Sequence, residues 1–125
     1  MRYLFLLLSI FLLSTGCKKS SAEDDKEMPV IVLSSPADNA VVPGGNTVSI
    51  AGDVTDNKNI YMIHVHISDY TTGKLLIDIH RYPNSAGYKL AESFTANAGI
   101  TYQVQVRARD NAANETVVTR MISTN

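Results

Sequence analysis

Two pairs of residues in this chain have the types and spacing to ligate a metal ion: His64 with His66, and Asp78 with His80. Residues two apart on a β-strand share a face, so each pair projects from one side of its strand. Imidazole nitrogens bind zinc at about 2.0–2.1 Å, and directly opposed residues on paired strands hold their Cβ atoms about 4.5–5.5 Å apart. In a hairpin that sets His64 opposite His80 and His66 opposite Asp78, all three histidines of the chain and one carboxylate form a compact rectangle. The chemistry of such a set is transition-metal binding, and three imidazoles with an open position also suit zinc-assisted hydrolysis. The same residues are ordinary on a solvent-facing strand. An open sheet face also lacks the supporting hydrogen bonds and enclosed cavity of a catalytic metal centre.

A second set is rich in oxygen: Asp53 and Asp56 in one segment, and Asp110, Asn111 and Asn114 in another. Carboxylates and backbone carbonyls gathered from loops suit calcium, while tight turns use these same residues for their own backbone bonding. A third set, Met62, Tyr70, Leu76 and Tyr82, surrounds the histidines with apolar and aromatic surface of the kind that contacts a protein or glycan ligand. No Gly-x-Ser-x-Gly elbow, phosphate-binding glycine loop or His-Glu-x-x-His helix occurs. The reading is therefore a non-catalytic protein, with a transition metal or calcium as the cofactors its residues suggest.

Cys17 carries a different chemistry. It is the one cysteine of the chain, and it follows Arg2, an apolar run from Tyr3 to Leu13, and Ser14, Thr15 and Gly16. Charged, apolar and small-residue segments in that order read as a leader over residues 1–16. The apolar run is too short to span a bilayer core, which needs roughly 20 helical residues. A lone thiol cannot form an intramolecular disulfide. The segment resembles a bacterial lipobox, with Ser14 where that family usually has leucine, which implies diacylglyceryl attachment to Cys17 and a lipid-anchored mature protein. Two or more acyl chains, each methylene worth about 0.8 kcal/mol, make such an anchor effectively permanent. Residues 17–28 then form an acidic tether containing Glu23, Asp24, Asp25 and Glu27. With no apolar side chain larger than Ala22 before Met28, the tether cannot bury enough surface to order itself. Its acidity resembles the export tag of some Gram-negative outer-membrane lipoproteins. The expected location is a bacterial membrane reached by export, the outer membrane above all.

The chain holds 11 basic and 12 acidic side chains, and Arg2 leaves with the leader, so no basic stripe exists for nucleic-acid phosphates. The expected partners are the membrane, through Cys17, and a protein or glycan ligand.

Residues 29–125 must position these groups. Val30–Leu33, Val48–Gly52, Ile60–Ser68, Leu75–Tyr82, Tyr88–Thr95, Ile100–Asp110 and Thr116–Ile122 are rich in β-branched and aromatic residues. Turn chemistries separate them, among them Pro43-Gly44-Gly45-Asn46, Asp56-Asn57-Lys58-Asn59, Thr71-Thr72-Gly73 and Asn97-Ala98-Gly99. Alternation places Tyr61, Ile63, Val65 and Ile67 inward and Met62, His64, His66 and Ser68 outward. The next strand turns Leu75, Ile77 and Ile79 in, and Leu76, Asp78, His80 and Tyr82 out. A three-residue loop at Thr71–Gly73, with Gly73 left-handed, pairs Tyr70 with Lys74 and sets the histidine rectangle in register. Seven short strands at this spacing predict an all-β fold, a single antiparallel seven-stranded β-sandwich.

Gly99 to Ala108, headed by Tyr102, resembles the sixth strand of fibronectin type III and related immunoglobulin-like domains, where such a tyrosine closes a corner through its hydroxyl. Pro36-Ala37-Asp38-Asn39, Val48 to Asn57 and Asp110 to Asn114 look like bacterial immunoglobulin-like domains, in which a glycine often stands where Ala113 does here. The resemblance implies an immunoglobulin-like sandwich on a surface lipoprotein, similar to domains of Gram-negative surface lipoproteins. It carries no implied activity.

Overall fold

The computed structural model describes residues 25–125. The segment read as a leader over residues 1–16, Cys17 with its expected lipid, and the stretch read as a tether up to residue 24 lie outside them. Among the described residues there is no helix, and seven strands run β1 (Val30–Ser35), β2 (Ala40–Val42), β3 (Thr47–Asp69), β4 (Leu75–Arg81), β5 (Ser85–Thr95), β6 (Thr101–Asp110) and β7 (Glu115–Thr124).

β3 organises the molecule because its two halves have different partners. Its first half lies between β1 and β5, and its second half between β4 and β6, with β6 leading on to β7 and β2. Where the sequence predicts a turn at Asp56-Asn57-Lys58-Asn59, the strand instead continues through a wide bulge. Asp56 to Asn59 face the single residue Ala86 between the pairs Thr55–Gly87 and Ile60–Ser85. The reason is local: Asp56 Oδ2 accepts the backbone N–H of Lys58 at 2.9 Å and of Asn59 at 2.7 Å. An Asx bond of this sort satisfies donors that the ladder leaves open. Val48–Gly52 and Ile60–Ser68, read as separate strands, are thus one.

The prediction of an antiparallel sandwich needs a second correction. β2 pairs in parallel with β7, Ala40 with Ile122 through Val42 with Thr124, so the sheet is mixed. Three residues are too few for a period-two signal, and nothing in the sequence marks them as a strand.

Alternation holds in the strands that matter most. Ile63, Val65 and Ile67 of β3 and Tyr102, Val104, Val106 and Ala108 of β6 are buried, joined by Ile50, Val54, Ile60, Leu90, Phe94 and Ile122. Burying each of the larger side chains stabilises the fold by roughly 1.5–3 kcal/mol. Tyr61 departs from the pattern. The β3–β6 register slips between Ile60 and Met62, so Ile60 is buried while Tyr61 is 44% exposed. Tyr102 closes the expected corner: its hydroxyl accepts the Asn97 backbone N–H at 2.8 Å, and its ring meets Phe94 edge-on with centroids 5.0 Å apart. Gly52 leaves room for β1, since a Cβ there would collide with the Val32 carbonyl oxygen.

Candidate functional sites on the sheet face and at the tether end

The β3–β4 hairpin reaches the expected pairing by an unexpected route. Its loop has four residues, closed by the Asp69 N–H donating to Lys74 O at 2.9 Å, with Gly73 at a φ of 71°. One irregularity between Ile67 and Ser68 leaves Leu76 as the extra residue on β4, and this restores the register to Ile67 with Ile77. His66 then opposes Asp78 and His64 opposes His80. The loop also disposes of Leu75, expected inward, which is 48% exposed.

On this face His66 Nε2 and His80 Nε2 lie 3.1 and 2.9 Å from the same oxygen, Asp78 Oδ1. The His64 and His80 rings stack with centroids 3.9 Å apart. β6 flanks the set on its other side, placing Arg107 opposite His64 and Gln105 opposite His66. Arg107 is itself 3.5 Å from Glu115 of β7. Burial first, then the neighbouring His80 and His66, push His64 below the ordinary imidazole value. His64 Nε2 is buried and has no hydrogen-bond partner among the described residues. The hydrogen bond from His80 holds the Asp78 carboxyl below the usual carboxylate value.

The apolar set follows the free edge beyond the histidines. Among the described residues β4 pairs with β3 alone, and Tyr70, Leu76 and Tyr82 are exposed beside it. Met62 is half-buried opposite Arg109. Tyr82 meets Tyr61 edge-on at 5.9 Å, a partner that alternation alone had assigned to the core.

At one end of the sandwich the oxygen-rich segments meet, with one substitution in the set. Asp25, Asp56 and Asp110 each offer a carboxylate oxygen within 4.8 Å of the others. Asp53 is not among them. It sits on the outer side of β3 and pairs with Lys89. Asp25 falls in the stretch read as tether, yet its side chain is 5% exposed, with Lys58 Nζ 3.7 Å away. The Asn57 amide donates to Asp25 Oδ1 at 3.0 Å and holds that carboxyl below its usual value. Asn114 Nδ2 donates to the Asp25 carbonyl at 3.0 Å. Asn111, with Asp25, Asp110 and Lys58, lines a cleft of about 110 Å³. One oxygen of the carboxylate cluster, Asp56 Oδ1, is buried without a hydrogen-bond partner among the described residues. Three clustered carboxylates are hard oxygen donors of the kind calcium takes. Nothing in the run of acidic residues around Asp25 distinguishes it; only its distant partners do.

Together, the arrangement of strands and the tyrosine corner define a fibronectin type III-like β-sandwich. No protein-family model and no curated protein matches the chain. Among solved structures it is similar to the fibronectin(III)-like modules of CbhA from Clostridium thermocellum, at 19% identity and a TM-score of 0.52. That match covers 78% of this chain and 47% of the other, so the chain spans about half the length of that structure. It is also similar to the superoxide reductase (neelaredoxin) from Ignicoccus hospitalis, at 12% identity and a TM-score of 0.54, covering 83% of this chain and 90% of that one. At these identities both likenesses concern the fold alone.

Proposed function

We propose that the chain is a lipoprotein anchored through Cys17 to a bacterial outer membrane, whose sandwich is a non-catalytic binding or assembly module for a protein or glycan. The observation that carries this reading is the edge of β4 that no other strand among the described residues pairs, where Tyr70, Leu76 and Tyr82 are exposed and Tyr61 and Tyr82 pack edge-on. Aromatic side chains that bring large area at low entropic cost are the usual anchors of recognition surfaces. The test uses the full chain, extracted in detergent, on a glycan array and in co-purification from its own cell envelope. A ligand retained by the wild type and lost by a Leu76→Ser, Tyr82→Ser variant supports the reading. Equal retention by both overturns the assignment of this edge. Metabolic labelling with palmitate tests the anchor, which falls if the wild type takes up no label or if Cys17→Ser takes up as much.

A second reading rests on the opposite kind of chemistry. Asp25, Asp56 and Asp110, with Asn114 clamping the segment before β1, would hold a calcium ion and fasten the tether to the sandwich. The orphaned Asp56 Oδ1 supports it, because an unpartnered buried oxygen costs about 1–3 kcal/mol that a cation would recover.

A further inference from the structure

We propose that His66, Asp78 and His80 form a transition-metal site on the outward face of the β3–β4 hairpin, with the His64 ring backing His80. Every histidine of the chain lies in this one patch, and the cross-strand register, rather than loop conformation, puts them there. Two imidazole Nε2 atoms address a single carboxylate oxygen, at 3.1 and 2.9 Å. An ion seated among the three would draw each nitrogen in to about 2.0–2.1 Å, and the oxygen to about 2.0–2.2 Å.

The adjustment falls on the side chains that are free to make it. His80 and Asp78, on the edge strand, are 42% and 39% exposed, whereas His66, on the central strand, is 28% exposed. Loading shifts the proton of each ligating imidazole from Nε2 to Nδ1, so the Nε2 lone pair meets the ion and no net proton need leave a neutral ring. Asp78 contributes its negative charge. Arg107, already drawn toward Glu115, faces His64 rather than the ligands. The 3.9 Å stack of His64 on His80 limits the sweep of the His80 ring. A set of two imidazoles and one carboxylate fits zinc or copper(II). Calcium prefers the oxygen cluster of Asp25, Asp56 and Asp110, so the two sites divide ions by donor type.

The experiment takes the full chain in detergent, stripped with a chelator and then saturated with Ca²⁺. It is titrated with Zn²⁺, and separately with Cu²⁺, against a chromophoric competitor. The expected result is one equivalent bound, with affinity falling about tenfold or more in His66→Gln and in His80→Gln, while melting of the stripped variants matches the wild type. If either variant fails to fold, the wild type decides: the His66 and His80 imidazole NMR resonances shift on adding Zn²⁺. No uptake, uptake that both substitutions leave intact, or resonances that Zn²⁺ does not move would overturn the site.

Discussion

Asp110 accepts Asn114 twice, through the backbone N–H at 2.8 Å and the side-chain amide at 2.6 Å. This clamp closes the β6–β7 loop and leaves Ala113, just before Asn114, at a φ of 71°. A left-handed conformation costs an L-residue with a Cβ roughly 1–2 kcal/mol, and glycine recovers most of that after its own entropic penalty. Ala113→Gly is therefore expected to stabilise the protein by about 0.5–1 kcal/mol and raise Tm by roughly 2–5 °C. Calorimetry on the two proteins checks it, and an unchanged or lower Tm contradicts the strain.

The tyrosine corner has a separable polar part. Tyr102→Phe keeps the buried ring and its edge-on contact with Phe94 but removes the acceptor for the Asn97 N–H. The expected loss is about 1 kcal/mol, read as a lower urea midpoint with an unchanged slope.

Much of this architecture was legible in the residues because burial of one face enforces period two. Ile63, Val65 and Ile67 had to go in, so His64 and His66 had to face out, and a one-residue slip on β4 would have inverted Ile77 and Ile79. That constraint explains why the histidine pairing was predictable although the loop was not: the four-residue turn and the extra Leu76 cancel, because the core tolerates only their combined shift. The errors lie where local chemistry is ambiguous. Asx bonding at Asp56 serves a bulge as well as a turn, and the slip near Met62 exchanges Ile60 for Tyr61 without altering composition. Asp25 was illegible because its partners, Asn57 and Asn114, stand 32 and 89 positions away.

Acid should loosen the hairpin that sets the histidine register. Burial opposes ionisation of Asp69, but hydrogen bonds from Thr72 and Thr71 prevail and lower its carboxyl below the ordinary aspartate value of 3.8. Because the folded value lies below the unfolded one, the contribution is fully present above pH 3.8 and is lost as pH falls through the lowered value. Wild type should therefore lose stability below that pH faster than Asp69→Asn, whose amide oxygen keeps an acceptor for Thr71 and Thr72 without titrating. Urea melts across pH 2–5 read the difference, and parallel curves would assign the acid sensitivity elsewhere.

Calcium held by Asp25, Asp56 and Asp110 would have a measurable signature. An ion bound by the native state alone stabilises it by RT ln(1 + [L]/Kd), about 2.7 kcal/mol at a hundredfold excess over Kd, and all three carboxylates belong to segments that come together only on folding. Tm of the full chain should rise between chelator and millimolar Ca²⁺ at matched ionic strength. In Asp56→Asn the rise should shrink or vanish, because the oxygen lost from the charged set has no other partner among the described residues. The direction in chelator is equally informative. Without the ion, three carboxylates within 4.8 Å repel one another, so Asp56→Asn should then be as stable as the wild type or more so. A Tm indifferent to Ca²⁺ in both proteins retires the calcium reading and leaves Lys58 and Asn57 as the partners that fix Asp25.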